Sequence, residues 1–307
     1  MKDQVVLMAV AGLVGCGLGA CKTPEKAGGA GQGKAPSSVF FKVGHRGTRG
    51  LMPENTIPAM EKGIEVGANT VELDVHISKD GQVLVYHDES FNPDYTSMPD
   101  GSEIPKEERK KYTFYQMNYP EIRKFIIGRK PYAGWPQQQR MDCYTPLLGE
   151  MIDSVEAFVR DRHLPQVYWL VEIKSKEKTD GSEQPAPEEF VRLLLPVLDA
   201  KHLGDRLIIQ SFDMRPLQVI HRQRPDIKLG FLTDDKNKTF DENIRALGFI
   251  PAFYNPHYHL VTETLIKQCH DKKILIAPWT VETQDIMGQM KSLGVDGIIT
   301  DYPNLLQ

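Results

Sequence analysis

Residues 44–88 read GHRGTRGLMPENTIPAMEKGIEVGANTVELDVHISKDGQVLVYHD. Within them, residues 70–77 alternate between apolar side chains and polar ones that include Glu72 and Asp74, a pattern that predicts a β-strand. Two residues of strand advance about 6.6 Å, so the two carboxylates lie on one side of the strand, within reach of one bound atom. They repel each other unless a cation or a proton lies between them. Taken alone, the segment is more typical of a half-exposed strand with a solvated acidic face, but the rest of the chain reverses that preference.

Strand and helix patterns alternate along the rest of the chain. Strand-like runs occur at residues 39–44, 70–77, 83–87, 167–173, 207–211, 228–232, 249–254, 274–279 and 297–300. Apolar residues with helical spacing fall between many of these runs, as at Ile57/Met60/Ile64, Leu148/Met151/Ile152/Val155/Phe158, Val191/Leu194/Leu198 and Ile286/Met290/Leu293. Such alternation favours a parallel sheet. The nine strand-like runs exceed the eight strands of a barrel by one, and no G-x-G-x-x-G opening is present. The pattern therefore predicts a closed (β/α)8 TIM barrel rather than an open doubly wound sheet.

The size and composition of the chain fit one globular enzyme domain. Of 307 residues, 38 precede Val39, which leaves 269, close to the roughly 250 residues of a (β/α)8 barrel. A net charge of −4 gives no basic footprint for nucleic acid. Two of the four cysteines lie near the N-terminus, and the sequence leaves open whether Cys143 and Cys269 pair. No disulfide framework is therefore predicted, and the oligomeric state is also left open.

Residues 89–144 interrupt the alternation. The segment is polar, rich in tyrosine, proline and charge, and shows no sustained apolar period except around residues 122–127. A loop of this length in a compact domain is usually functional or forms a small subdomain. We interpret it as an insertion over the mouth of the barrel, with the composition of a cap rather than of a core.

The N-terminus, MKDQVVLMAVAGLVGCGLGAC, combines a short charged start with an apolar run at residues 5–20. This run is shorter than the roughly 20 residues that span a bilayer, so residues 1–21 are predicted to be an export signal. LGAC resembles a bacterial lipobox and predicts a lipid anchor at Cys21, although LVGC, which ends at Cys16, also fits. Cys21 is preferred because polar sequence follows it directly. The alternative is an ordinary cleaved signal that leaves a soluble protein.

Residues 22–38 form the predicted link between this anchor and the barrel. Their composition, KTPEKAGGAGQGKAPSS, cannot bury a core and predicts a flexible tether that reaches on the order of 20 to 25 Å. Residues 28–34 match the spacing G-x-x-x-x-G-K, but Ala35 replaces the serine or threonine of a phosphate loop and no strand precedes it. A phosphate loop is therefore rejected. The barrel is expected to be lipid-anchored in the bacterial cell envelope, facing the periplasm or the cell surface.

A second acidic strand end appears in VYWLVEIK, residues 167–174, where Glu172 shares a strand face with Lys174. Charged strand ends often simply emerge into solvent. In a parallel barrel, however, the carboxyl ends of the strands form the active-site face. Glu72, Asp74 and Glu172 are therefore candidate metal ligands, and a set of oxygen ligands alone suits Mg2+ or Ca2+ better than zinc.

Two histidines lie at the ends of predicted strands. His45 follows one apolar run and His87 ends another, which places both at the same end of the barrel. A lone histidine is more often structural than catalytic, but two histidines with carboxylates between them are candidates for acid and base catalysis. Arg46 and Lys174 add the positive charge that suits a phosphate group.

The strongest functional signal is a series of motifs in a fixed order between residues 44 and 303. In chain order they are GHRG, PENT, VELDVHISKDGQVLVYHD, VEIK, QSF, WTV and TDYP. This series resembles that of the glycerophosphodiester phosphodiesterase family. GHRG alone would be a weak signal, whereas the ordered set is highly specific and covers nearly the whole chain beyond the tether.

The resemblance implies a (β/α)8 barrel with an insertion after the second strand, one divalent cation, Ca2+ or Mg2+, and hydrolysis of glycerophosphodiesters to sn-glycerol 3-phosphate and an alcohol. It assigns metal binding to Glu72, Asp74 and Glu172, and acid/base catalysis to His45 and His87. It assigns phosphate binding to Arg46 and Lys174, and glycerol binding to Phe212 and Trp279. Glu54, Asn55 and Thr56 match PENT, although Asn55 or Thr56 also fits a helix cap. Residues 89–144 contain no recognised substrate motif, so the headgroup is left open.

Two other functions are weighed against this one. A phospholipase D-like or phosphoinositide-type lyase would act on intact lipids and end at a cyclic phosphate. A surface binding module on a barrel scaffold is the non-enzymatic alternative, but a binder needs no acid/base pair. For the leading function, the attacking group is either water or the glycerol hydroxyl of the substrate, which would pass through a cyclic phosphate.

Overall fold

The computed structural model describes residues 39–306, so the export signal, anchor and tether predicted for residues 1–38 lie outside the described residues. Its strands are β1 (Phe41–Gly44), β2 (Thr70–Ile77), β3 (Val83–Val85), β4 (Thr96–Ser97), β5 (Ile126–Ile127), β6 (Tyr168–Ile173), β7 (Leu207–Ser211), β8 (Lys228–Thr233), β9 (Phe253–Pro256), β10 (Leu275–Ile276) and β11 (Gly297–Thr300). Its α-helices are α1 (Ile57–Glu65), α2 (Tyr119–Ile122), α3 (Leu148–Asp161), α4 (Pro187–Asp199), α5 (Met214–Gln223), α6 (Phe240–Leu247), α7 (Glu263–Asp271) and α8 (Gln284–Leu293).

Eight parallel strands form the barrel wall. They follow the order β10, β9, β8, β7, β6, β2, β1, β11, and each neighbouring pair in this order is parallel. Two backbone hydrogen bonds join the ends of the series, from Asp296 N to Ile276 O at 2.9 Å and from Ile299 N to Pro278 O at 2.9 Å. The helices α1 and α3 to α8 alternate with these strands along the chain. The predicted (β/α)8 barrel is therefore confirmed.

Both faces of β2 are buried. Val71, Leu73 and Val75 on one face pack into the main hydrophobic core, together with side chains of the surrounding helices. On the opposite face Glu72 and Asp74 are only 1% and 0% exposed. The alternation therefore predicted the strand correctly, but a half-exposed strand with a solvated acidic face is excluded.

The turn after β1 packs closely against α1 because both carry glycine. Gly47 has a φ of +86°, and a Cβ on it would lie 2.5 Å from the backbone carbon of Ala59. A Cβ on Gly63 of α1 would lie 2.4 Å from the Gly47 oxygen. This close contact holds His45 and Arg46, which precede Gly47, at the carboxyl end of β1.

β3 is not a barrel strand, contrary to the expectation for residues 83–87. It pairs antiparallel with β2, because the connection at residues 78–82 is far shorter than the dozen or so residues that parallel neighbours need. The chain therefore turns at the end of β2 and returns along its side, where Tyr86 N donates to Asp74 O at 3.0 Å. This return, rather than a barrel strand end, brings His87 beside the carboxylates of β2.

Residues 89–144, here called the inserted segment, have a hydrophobic core of their own. β4 and β5 pair antiparallel, and α2 and two 3₁₀ turns complete the segment. Leu84 of β3 and Tyr86, directly after β3, belong to this core. The complete set of buried residues is Leu84, Tyr86, Phe91, Tyr95, Ile104, Phe114, Tyr119, Ile122, Phe125 and Ile127. The segment is therefore a small subdomain with a core of its own, and its role as a cap over the mouth of the barrel stays a prediction. The apolar residues are mostly aromatic and irregularly spaced, so they produce no periodic signal.

Other predictions are confirmed with shifted boundaries. The runs predicted at residues 249–254 and 274–279 correspond to β9 and β10. β9 starts later than predicted and β10 ends earlier, because Pro251 and Pro278 lack the N–H that a strand ladder uses. Both Cys143 and Cys269 are free thiols. Within residues 39–306 no helix is long and apolar enough to cross a membrane.

Candidate active site

Three carboxylates meet at the carboxyl ends of two neighbouring strands. β2 supplies Glu72 and Asp74, and β6 supplies Glu172, which lies opposite Asp74 in the strand register. One oxygen atom from each residue lies within 4.8 Å of the others. All three side chains are buried. Because Mg2+ and Ca2+ prefer oxygen ligands, this donor set fits the cation that the resemblance implied.

Negative charge exceeds positive charge in this cluster. Lys174 Nζ lies 2.8 Å from Glu172 Oε1 and 3.5 Å from Asp74 Oδ1. Arg46 Nε lies 3.6 Å from Asp74 Oδ2, but the same guanidinium also donates to Glu54 at 2.6 Å. No group in the described part of the chain donates a hydrogen bond to the buried Asp74 Oδ1. Buried charge without full compensation is costly, and a bound divalent cation would reduce that cost.

The pKa values of the three carboxylates reflect this crowding. Burial, followed by repulsion from Asp74 and Glu172, raises the pKa of Glu72 well above its usual value. Burial also raises the pKa of Glu172, an effect that Lys174 opposes. Burial disfavours the charge on Asp74 as well, but Lys174 and His87 hold the pKa of this carboxyl below its usual range. The repulsion predicted between neighbouring carboxylates is therefore present, and a cation between them would relieve it.

Asn55 and Thr56 divide the roles that the PENT motif left open. Thr56 caps α1, and its hydroxyl accepts a hydrogen bond from Ala59 N at 3.3 Å. Asn55 holds Asp74 instead, donating to Oδ2 at 2.8 Å and accepting from the Asp74 backbone N at 3.2 Å. Its φ of 56° is a left-handed conformation that asparagine tolerates. Asn55 is therefore part of the site, whereas Thr56 is structural.

His45 pairs with an aspartate that follows the last barrel strand. Its Nδ1 lies 2.7 Å from Asp301 Oδ1. Arg49 donates two hydrogen bonds to Asp301 Oδ2, at 3.0 and 2.6 Å. Burial lowers the pKa of His45 to about 4, although Asp301 opposes the shift. The ring is therefore neutral near pH 7, with Nδ1–H donating to Asp301 and the Nε2 lone pair available for a proton.

His87 forms a second pair of the same kind. Its Nδ1 lies 2.6 Å from Asp88 Oδ1. Two groups of the inserted segment, Arg109 and Asn92, donate to Asp88 Oδ2 at 3.0 and 3.1 Å. Burial would raise the pKa of Asp88, but the hydrogen bond and charge of His87 lower it to about 2. His76 Nε2 lies 3.1 Å from the His87 carbonyl oxygen and donates to it, which fixes the backbone at this position.

One cavity of about 200 Å³, here called the inner cavity, joins these groups. Its lining includes His45, Arg46, Arg49, Glu72, His87, Glu172, Lys174, Phe212 and Trp279. The rings of Phe212 and Trp279 meet edge to face, with centroids 5.2 Å apart. Trp279 Nε1 donates to Asn255 O at 2.9 Å, whereas Phe212 is 40% exposed. The residues to which the sequence assigned catalysis, substrate binding or metal binding therefore line this cavity, except the fully buried Asp74.

Several residues of the site were not singled out from the sequence, among them Asp301, Asp88 and Gln210. Asp301 stands in TDYP at the carboxyl end of a barrel strand, a position that could have identified it. Asp88 follows His87 directly, but adjacency in the chain does not show that two side chains bond. Gln210 donates to Glu72 Oε1 at 3.5 Å. A single glutamine in a buried strand carries no chemical signal in the sequence.

Comparison with known proteins identifies the family. The sequence model of the Glycerophosphoryl diester phosphodiesterase family matches residues 45–305. The chain belongs to this family. The match confirms the family that the motif series predicted, and the chain is therefore an enzyme of this family.

Relatives match this phosphodiesterase over most of their own length. YqiK of Bacillus subtilis is 30% identical over 265 residues, which cover 84% of this chain and 93% of YqiK. The glycerophosphodiester phosphodiesterase of Bacillus altitudinis is 29% identical over 263 residues, with coverage of 85% and 94%. A solved structure from Silicibacter pomeroyi has a TM-score of 0.77 at 28% identity and covers 89% of this chain and 94% of its own. The Oleispira antarctica phosphodiesterase, solved with its product sn-glycerol 3-phosphate, shares the fold with a TM-score of 0.67 at 20% identity, with coverage of 87% and 95%.

Proposed function

We propose that this enzyme hydrolyses glycerophosphodiesters, deacylated phospholipids such as glycerophosphocholine or glycerophosphoethanolamine, to sn-glycerol 3-phosphate and an alcohol, with one bound Ca2+ or Mg2+. The arrangement of three carboxylates and two histidine–aspartate pairs around one cavity carries the proposal. The same activity is named for the Bacillus altitudinis relative. A phosphodiester resists hydrolysis because its charge repels nucleophiles and because an alkoxide leaves poorly. The site has groups that meet both difficulties.

The charge of the substrate is met by the cluster and its basic neighbours. Glu72, Asp74 and Glu172 would hold the divalent cation, which when bound neutralises charge on the phosphoryl oxygens. Arg46 can donate to two phosphoryl oxygens through its planar fork, and Lys174 adds a point charge. Both basic groups now contact carboxylates. Both basic groups therefore lie close enough to the carboxylate cluster to bind a phosphate group beside it.

The two histidines divide the proton transfers. The Nδ1–H of His45 is committed to Asp301, so its Nε2 takes the proton from the attacking oxygen, which belongs to water or to the glycerol hydroxyl. His87, whose ring is oriented by the contact of its Nδ1 with Asp88, gives a proton to the alcohol oxygen. The new P–O bond forms as the bond between phosphorus and the alcohol oxygen breaks. Each histidine therefore ends the step in the protonation state that the other began with.

The glycerol arm fits beside the aromatic pair. Phe212 and Trp279 would line it, since both border the inner cavity and their rings present apolar faces. A cavity of about 200 Å³ has room for a glycerol phosphate rather than for the two acyl chains of an intact phospholipid. This size favours glycerophosphodiesters over intact lipids as substrates.

The direct test is an assay of glycerophosphocholine with products separated by chromatography. We expect glycerol 3-phosphate and choline, loss of turnover in a chelator, and recovery with Ca2+ or Mg2+. Glu72→Gln should lose turnover with either metal, whereas Glu65→Gln, at the exposed end of α1, should keep it. Full turnover in excess chelator would contradict the cation site. Conversion of intact phospholipid to a cyclic phosphate, with glycerophosphocholine untouched, would assign the lyase function instead.

We also propose that the enzyme is exported and held at a membrane by a lipid on Cys21, facing the periplasm or the cell surface. LGAC followed directly by the polar residues 22–38 supports this proposal. In a bacterial host the wild-type protein should partition into detergent, and Cys21→Ser should remain unprocessed or become soluble. Cys16→Ser, which alters the other lipobox, is the matched control and should partition like wild type. A mature N-terminus at a residue other than Cys21, read by mass spectrometry, contradicts the proposal.

A further inference from the structure

A second cavity meets the inner cavity at the carboxylate cluster. This outer cavity has a volume of about 270 Å³ and lies between residues 87–89 and the loop that joins β6 to α4. The residues that line both cavities are His87, Glu172, Lys174 and Phe212. A phosphodiester consists of two organic arms joined at one phosphorus atom. A phosphate held at the shared wall can therefore direct one arm into each cavity.

The two histidines indicate which arm lies where. His45 and Trp279 line only the inner cavity, whereas His87 stands between the two cavities. An acid that protonates the leaving alcohol must reach the oxygen that joins phosphorus to the alcohol arm. His87 can do so for an arm in the outer cavity, while the base His45 remains on the side of the attacking oxygen. The glycerol arm therefore belongs in the inner cavity and the alcohol arm in the outer cavity.

The outer cavity combines apolar walls with negative charge. Ile173 and Phe212 contribute apolar surface, and Glu89 and Glu183 are half-buried carboxylates in its lining. Glu89 lies 3.5 Å from Arg109, which partly compensates its charge. Glu183 forms no ion pair with any residue between 39 and 306. Its charge is therefore available to a ligand.

The basic residues of the outer cavity do not cancel this charge. Lys174 is bound to Glu172 at 2.8 Å, and Lys176 is exposed to solvent. A hydrogen bond within the loop holds its conformation, since the buried Gln184 donates from Nε2 to the Lys176 carbonyl oxygen at 2.7 Å. Glu183 precedes Gln184, so this contact restrains the backbone at Glu183.

We propose that the outer cavity selects a small alcohol that carries a positively charged nitrogen, such as ethanolamine or choline, and that Glu183 recognises the charge. This inference rests on the proposed function, because it concerns the second arm of the same substrate. An aminoalcohol places its carbon atoms against Ile173 and Phe212 and its charge beside Glu183. A neutral polyol such as glycerol has no positive charge to place beside Glu183, so the site discriminates between headgroups.

The test compares kcat/KM for glycerophosphocholine with kcat/KM for glycerophosphoglycerol, whose headgroup is neutral. In Glu183→Gln the ratio of the two values should fall roughly fivefold to tenfold, and in Glu183→Lys it should fall further. The matched control is Glu177→Gln, an exposed glutamate of the same loop that does not line the cavity. Its ratio should equal that of wild type. Circular dichroism and thermal unfolding establish that each variant is folded.

The outcomes separate this inference from the function on which it rests. If wild type hydrolyses both diesters and the ratio is the same in all variants, the inference is wrong and the proposed function stands. If Glu177→Gln lowers the ratio as much as Glu183→Gln, the effect is the general charge of the loop and the inference is also wrong. If wild type hydrolyses neither diester with Ca2+ or Mg2+ supplied, the proposed function fails and the inference fails with it.

Discussion

The two histidine–aspartate pairs of the site have similar geometry, but different parts of the molecule hold their aspartates in place. The Nδ1 to Oδ1 distances are 2.7 Å in the first pair and 2.6 Å in the second. Asp301 follows a barrel strand, has a side chain that is 0% exposed, and is held by Arg49 from the turn after β1. Asp88 lies directly before the inserted segment, has a side chain that is 18% exposed, and is held by Arg109 of that segment.

This difference separates two parts of one active site. The barrel alone positions the carboxylate cluster and the proposed base, because their strands and turns are fixed by the main core. The proposed acid depends on the inserted segment, which supplies the groups that anchor its aspartate. If His87 is the acid, the inserted segment supports catalysis through Arg109 and Asn92, which donate to Asp88.

The largest effects should follow removal of the histidines themselves. His45→Ala and His87→Ala should each lose roughly 10² to 10⁴ in kcat on glycerophosphocholine, since each removes one proton transfer. His270 pairs with Asp296 on the surface at 2.9 Å, so His270→Ala is the matched control and should act like wild type. Bound metal is measured in every variant. Wild-type turnover in either of the two active-site variants would show that the substituted histidine transfers no proton in the reaction.

The next largest effects should come from the aspartates. Asp301→Asn should lose roughly 10²- to 10³-fold in kcat, because a fully buried carboxylate fixes the tautomer and orientation of His45. Asp88→Asn should lose only about tenfold, because water can reach this half-buried position and replace part of the interaction. The pH profile of kcat should shift in both variants, which a merely structural role would not cause. Equal losses would mean that the difference in burial has no catalytic consequence.

The arginines should affect stability in the same order. Arg49→Met removes the cationic partner of the buried Asp301, which keeps its hydrogen bond with His45, and should lower the free energy of unfolding by about 3 kcal/mol. Arg109→Met breaks a more exposed pair and should cost about 1 kcal/mol or less. Lys106→Met, in the same 3₁₀ turn as Arg109 and highly exposed, is the control and should be nearly neutral. Urea unfolding measures all three, and a larger cost for Arg109→Met would reverse the ranking.

The last expected effect is the pH dependence of stability that His45 causes. Its pKa in the folded protein is about 4, below the usual 6.5, so between these values the unfolded chain binds a proton that the folded chain does not. The contribution of His45 to stability therefore decreases as pH falls from 6.5 towards 4. NMR of the imidazole, assigned by comparison with His45→Gln, should show a neutral ring at about pH 5.5. A protonation midpoint at the usual value would contradict the burial of this ring.

The barrel and the carboxylate cluster were predictable because their signals are periodic and local. Alternation at residues 70–77 set the faces of β2, and the carboxyl ends of parallel strands share one side of a barrel. Glu72, Asp74 and Glu172 followed from these two facts. The same reasoning extends to Asp301, which stands at another strand end.

The acid side of the site was less predictable because its contacts are not local or periodic. His87 was placed correctly but for a wrong reason, since the hairpin of β2 and β3, rather than a barrel strand, returns it to the cluster. Arg109 lies 21 residues from Asp88 in a segment without regular spacing. The core of that segment is built from scattered aromatic residues, and composition alone made it resemble a polar cap.

The division of labour between the two pairs is tested most directly by the leaving group. His87→Ala is assayed on glycerophosphocholine, which expels a strongly basic alkoxide, and on a p-nitrophenyl glycerophosphodiester, which expels a phenoxide that needs little protonation. With metal content equal to wild type, kcat should fall roughly 10² to 10⁴ on the first substrate and far less on the second, whereas His45→Ala should be poor on both. Equal losses of His87→Ala on the two substrates would show that His87 is not the acid, and the reverse pattern would exchange the two roles.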